Sequence, residues 1–191
     1  MTYIAKKAFI LIGASGSGKS TVTRTIQEHF IPKTPMIGAG PTTAVFSLDA
    51  CRLEYYAHFL AGSGGQPSLV PAEVYRAAFD YCNEQAKEFE VFVEEVWKAA
   101  SKTPVIIIDN VNSTRKSRAK WVQKLRQEKY HITMVEVQTP LDIILARQST
   151  RGDKNVPVEA VKTQFLRQES AMVGSECDNV IIIDGTKPWQ Y

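Results

Sequence analysis

Residues Gly13–Ser20 read Gly-Ala-Ser-Gly-Ser-Gly-Lys-Ser, directly after the apolar run Ala8–Ile12 and just ahead of a helix-like stretch, Lys19–Phe30. That order of strand, loop and helix is the order of a phosphate-binding P-loop. Glycines let successive backbone N–H groups turn inward around an anion, while the helix that follows points the positive end of its dipole at the same place. Gly13, Ala14, Ser15, Gly16, Ser17, Gly18 and Thr21 are therefore expected around the phosphates of ATP. Lys19 is expected to reach the β- and γ-phosphates, and Ser20 to offer its hydroxyl to Mg²⁺, a hard cation that prefers oxygen ligands. A dinucleotide-binding Gly-x-Gly-x-x-Gly is absent from the sequence.

Further apolar runs suited to buried strands occur at Ala44–Leu48, Pro104–Ile108, Ile132–Val137 and Val180–Ile183, with helical patterns between them. The alternation predicts an α/β fold: a five-stranded parallel sheet with helices on both faces and right-handed crossovers. Ligands then belong at the carboxyl edge of the strands. Ile31–Thr43 and Gly62–Gln66 read as irregular connections. Pro71–Ala100 reads as one long helical stretch, since it has no Gly or Pro after its first residue. Thr139-Pro140 has the look of an N-cap and first helical position.

The 191 residues suit one domain, 1–191, and 44% hydrophobic with 23% charged content is ordinary for a globular chain. No apolar run approaches the roughly 20 residues needed to cross a bilayer, and a secretory signal is absent, so a cytoplasmic protein with no membrane partner is expected. Cys51, Cys82 and Cys177 are widely spaced, suggesting neither disulfides nor a zinc site. A net charge of +3 permits a phosphate-rich partner without requiring one. The basic run Arg115, Lys116, Arg118, Lys120, Lys124 and Arg126 reads first as a solvated helix face, and second as a nucleic-acid contact.

Five carboxylate and arginine positions fall where an acceptor or a metal would meet the P-loop. Asp49 and Arg52 follow the second strand at a spacing that shares one helix face. Asp49 could take the proton of an attacking hydroxyl and Arg52 could hold an acceptor phosphate, or Asp49 could be a helix cap and Arg52 a solvated charge. Asp109 ends the third apolar run, as a metal-facing Walker B carboxylate does; a cap for the next helix is the competing role. Arg147 and Arg151 lie four apart, a repulsive spacing that a polyanion would reverse, and the polar stretch 149–156 after Arg147 reads as a lid. Tyr55, Tyr56 and Phe59 fit either a core face or a base-stacking platform. The histidines at 29, 58 and 131 lack ligand spacing.

Taken together, the P-loop, the Asp49-x-x-Arg52 pair and the segment Arg147-Gln-Ser-Thr-Arg-Gly-Asp-Lys-Asn-Val-Pro157 resemble the kinase domain of the phage-type polynucleotide 5′-hydroxyl kinases, from about Lys7 to Gln168. The resemblance implies a P-loop kinase fold with an arginine-bearing lid, ATP and Mg²⁺ as cofactors, and DNA or RNA as phosphoryl acceptor. It implies Lys19, Asp49 and Arg151 as catalytic residues, Arg52 on the acceptor phosphate, Arg147 on ATP, and Ser20 with Asp109 on the metal. The segment Gly62–Ala100 matches loosely. Members of this family often carry a fused 3′-phosphatase or ligase domain, for which 191 residues leave no room. Related kinases with the same catalytic parts phosphorylate 5-hydroxymethyluracil within phage DNA, so the acceptor hydroxyl stays open between these two. A regulatory NTP-binding module or a small-molecule kinase is the remaining alternative.

Overall fold

The computed structural model describes residues 5–30, 41–62, 71–151 and 156–191. Five parallel strands form one sheet: β1 (Lys7–Ile12), β2 (Thr43–Phe46), β3 (Val105–Ile108), β4 (His131–Gln138) and β5 (Asn179–Asp184), in the spatial order β2-β3-β1-β4-β5. β1 sits in the middle, paired with β3 on one side and β4 on the other. The chain therefore reverses direction across the sheet beside β1, and a crevice opens there at the carboxyl edge. The P-loop follows β1 directly, so the sequence motif falls at that crevice.

Seven helices cover the sheet among the described residues: α1 (Lys19–Phe30), α2 (Leu48–Gly62), α3 (Pro71–Glu84), α4 (Ala86–Ala100), α5 (Arg115–Gln127), α6 (Leu141–Ser149) and α7 (Val158–Leu166). Side chains alternate along each strand and feed two separate cores. Phe9 and Leu11 of β1 join Val22 and Ile26 of α1 on one face. Ala8, Ile10 and Ile12 join Trp97 of α4 with Trp121 and Leu125 of α5 on the other. A third, smaller cluster, Ala14, Ile144 and Val161, packs α6 and α7 against the start of the P-loop. All three cysteines are buried and free, with burial pushing the Cys51 thiol up to about 11.

Four expectations need correction. The stretch 71–100 is two helices, interrupted at Gln85 (φ −99°, ψ 38°): both touch α2, Phe89 and Phe92 of α4 meeting Tyr55, but α4 alone turns into the sheet core. α3 lies against α2, with Tyr81 contacting the Tyr55, Tyr56 and Phe59 rings, whereas α4 buries Val93 and Trp97 in the sheet core. The second strand stops at Phe46 instead of running to Leu48, since Leu48 already opens α2, its N–H held by the Asn110 side chain at 2.8 Å. Thr139 does not cap α6: Pro140 occupies the cap position and the Thr139 hydroxyl donates to the Ser17 carbonyl at 2.7 Å.

The basic helix is the fourth. α5 begins with a capping box in which Thr114 and Ser117 exchange side-chain and backbone hydrogen bonds. Its charges are then matched by carboxylates from elsewhere, Lys124 with Glu94 and Arg126 with Asp178 at 2.7 Å. Arg118 is fully buried; its guanidinium pairs with Glu176 at 3.1 Å and donates to the carbonyls of Asn112 and Glu169. The Lys120 ammonium lies 4.4 Å from the Trp121 ring, and burial and neighbouring Lys124 pull its pKa down. Arg115, Lys116, Lys120 and Arg126 stay exposed, as a solvated face requires, so the departure from that reading is the buried Arg118.

Candidate active site

A cavity of ≈ 640 Å³ opens at the carboxyl edge of the sheet, over the crevice beside β1. Its floor is the P-loop: Ser15, Gly16, Gly18, Lys19, Ser20 and Thr21 line it, while Gly13, Ala14 and Ser17 lie buried behind. Gly18 has φ +105°, a left-handed conformation that an L side chain rarely adopts, and this is what turns the loop into the helix. The Lys19 ammonium reaches back over the loop to the carbonyls of Gly13 (2.8 Å) and Ala14 (3.0 Å). Ser20 is exposed on the cavity.

The outer side of the loop is braced by elements far along the chain. Arg147 at the end of α6 donates to the carbonyls of Gly16 and Ser17, both at 3.4 Å, and to that of Gly185 at 2.9 Å. Gln164 of α7 accepts the Ser15 N–H at 2.9 Å, so that amide is already engaged, unlike the expectation that it faces a phosphate. Gly185 approaches so closely that a Cβ there would collide with Thr139 Oγ1 and the Ser17 carbonyl. The turn after β5 is therefore locked to the P-loop by the absence of a side chain.

Asp109, one residue beyond β3, lines the cavity and accepts the Thr23 hydroxyl at 3.0 Å through Oδ2. Asp49, the second residue of α2, lines the same cavity from beyond the end of the neighbouring strand β2. Its Oδ1 accepts from Arg52 at 3.0 Å and from the phenol of Tyr75 on α3 at 2.9 Å. Burial first, and then the Asp49 charge, push the Tyr75 phenol well above its usual value, so it stays a donor. Arg52 does not line the cavity; its guanidinium lies over the Phe79 ring at 5.1 Å. Arg151, just past α6, does line it. The rest of the expected lid, 152–155, lies outside the described residues, as does most of the connection at 31–43 and of that at 62–66.

Most of the expected site residues thus converge on one cavity: Lys19, Ser20, Asp49, Asp109, Arg147 and Arg151. Others were missed. Tyr75 and Thr23 hold the two carboxylates from 26 and 86 residues away along the chain, and Asn110 shares the cavity wall with Asp109. Ile183, Thr186, Lys187, Pro188 and Trp189 form a half-apolar wall after the last strand. For that wall a signal existed, because the rule that ligands sit at the carboxyl edge applies to β5 as much as to β1.

The fold has known counterparts. A sugar kinase from Janibacter sp. HTCC2649 superposes with a TM-score of 0.51 at 15% identity, over 96% of this chain and 87% of that one. A gluconokinase from Sinorhizobium meliloti 1021 gives 0.50 at 14%, over 95% and 84%. The PezAT chromosomal toxin–antitoxin system of Streptococcus pneumoniae gives 0.52 at 20%, over 76% of this chain and 52% of that one. No curated protein matches the sequence. A family model described as an AAA domain matches residues 9–174, which takes in the P-loop, both cavity carboxylates and the arginines of α6. The chain belongs to this AAA domain family, and its architecture is that of the P-loop kinases.

Proposed function

We propose that the protein moves the γ-phosphoryl group of ATP to a hydroxyl of a nucleic acid, a polynucleotide 5′-hydroxyl before any other. The observation that carries this reading is a second carboxylate, Asp49, in the cavity that the P-loop floors, held at 3.0 Å by Arg52 just outside it. A nucleotide switch has no use for a second carboxylate there, whereas a transferase needs a base on the acceptor side.

In this reading Asp49 takes the proton of the acceptor hydroxyl. The freed oxygen attacks the γ-phosphorus, the bond from the γ-phosphorus to the β–γ bridging oxygen breaks, and ADP departs with that oxygen. Lys19 leaves the two loop carbonyls to follow the γ-phosphoryl group, and Arg151 spreads its charge in the transition state. Arg147, already anchored on the P-loop carbonyls, stiffens the loop and adds positive potential to it. Arg52 fixes Asp49 and turns toward an acceptor phosphate. Ser20 and Asp109 suit Mg²⁺, since both present oxygen to the cavity and, among the described residues, no cluster of three or more His, Cys, Asp or Glu offers a self-sufficient metal site. When bound there, the ion would neutralise phosphate charge.

The test offers γ-labelled ATP with 5′-hydroxyl DNA, 5′-hydroxyl RNA, DNA containing 5-hydroxymethyluracil, a set of sugars, and no acceptor. Label on 5′ ends is the expected result. Label only on the modified base or only on a sugar would replace the acceptor while keeping the kinase, and hydrolysis without transfer would favour a nucleotide switch. Asp49→Asn should lower kcat about 10²-fold or more with ATP affinity nearly unchanged.

A further inference from the structure

Asn110 lines the cavity beside Asp109 and reaches across to the start of α2. It follows Asp109 at the end of β3, and its Oδ1 accepts the backbone N–H of Leu48, the first residue of α2, at 2.8 Å. The next residue is Asp49. The strand ends are joined by the backbone as well, the Asp109 N–H donating to the Phe46 carbonyl at 2.9 Å. A helix normally has its first N–H groups satisfied by its own N-cap residue. Here Ser47 fills that position only loosely, its hydroxyl 3.5 Å from the Ala50 N–H, and the cap comes from another strand.

The amide is an odd choice for that duty. Leu48 needs an acceptor, which fixes the orientation of the side chain with Oδ1 inward. Nδ2 is then buried with no hydrogen-bond partner among the described residues. A buried unmatched donor is destabilising, and aspartate would cap α2 without one while adding a favourable charge at a helix N-terminus. The cavity supplies the reason against aspartate. Asn110 lines it together with Asp109 and Asp49, so a carboxylate here would add a third negative charge to the cavity whose floor is the phosphate loop.

We propose that Asn110 is a positioning residue: its carbonyl oxygen sets Asp49 against the phosphate site by capping α2 across the strand ends, and its neutrality is required by an anionic ligand in the shared cavity. The proposal rests on the kinase reading above. It predicts effects of opposite sign on stability and on binding, which no purely structural cap would give.

The experiment compares wild type, Asn110→Asp and Asn110→Ala by thermal unfolding, by calorimetric titration with Mg²⁺ and the non-hydrolysable ATP analogue AMP-PNP, and by kcat on whichever acceptor takes the label. Asn110→Asp should unfold at the same or a higher temperature yet bind the analogue about tenfold more weakly or worse. Asn110→Ala should unfold earlier and lose about tenfold in kcat, while its affinity for the analogue stays within about threefold of wild type. An aspartate variant that binds as wild type does would overturn the neutrality requirement, and an alanine variant with wild-type kcat would overturn the positioning role. A wild type that binds no analogue, or that binds it and transfers label to no acceptor other than water, would sink the kinase reading and this proposal with it. That outcome is told apart from the first two because it appears before any variant is measured.

Discussion

Two helices carry the arginines that the sequence makes conspicuous, α5 and the end of α6, and the structure uses them in opposite ways. On α5 the cations meet carboxylates: Arg118 meets Glu176, Arg126 meets Asp178, and Lys124 meets Glu94. At α6, the hydrogen bonds of Arg147 among the described residues go to carbonyl oxygens, those of Gly16, Ser17 and Gly185. A carbonyl satisfies the donors of a guanidinium without cancelling its charge, so Arg147 keeps its positive potential beside the phosphate loop. What separates the cations of α5 from the one proposed for the site is the partner, more than the number of charges on the helix.

The strongest way to break that contrast is Arg118→Ala. It would leave Glu176 half-buried without its principal partner and several carbonyls without a donor, at a cost of about 3–5 kcal/mol in denaturant titration. The kcat of the folded fraction should stay close to wild type; a folded variant with kcat reduced as far as that of an α6 variant would erase the distinction. Arg151→Lys should do the reverse, keeping stability but lowering kcat by about 10²-fold, since lysine retains the charge and loses the planar fork that matches a phosphoryl group. A fully active lysine variant would return Arg151 to the surface. Smallest is Arg126→Ala: its pair with Asp178 is partly exposed, so the loss should be about 1 kcal/mol or less and should shrink further in high salt.

Local signals were legible in the sequence and distant ones were not. The P-loop could be read because its glycines, lysine and serine act within eight residues, and α1 runs over Lys19–Phe30 as its pattern implies. β1, β3 and β4 could be read because parallel strands buried on both faces need continuous apolar runs, and the edge strands β2 and β5 keep such runs though Val45 and Ile182 are exposed. The break at Gln85 left no mark, since no Gly or Pro announces it and what sets the halves apart is tertiary, α4 alone turning into the sheet core. Arg118 looked like surface because Glu176, the carboxylate that permits its burial, lies 58 residues on. Asp49 could be placed at the sheet edge from its position after β2, but Tyr75, its partner from α3, could not.

The three tryptophans divide along the same line between architecture and site. Trp97 and Trp121 are buried together in the core that holds α4 and α5 against the sheet. Trp189 sits on the other face, in the cavity wall beside Ile183 and Pro188, with its ring edge-on to Tyr191. The chain therefore contains an optical reporter for its pocket. Two indoles give emission that responds to loss of the fold, and the third is placed where an arriving ligand changes its surroundings. With Trp97 and Trp121 replaced by phenylalanine, the remaining emission would follow pocket occupancy without any added label.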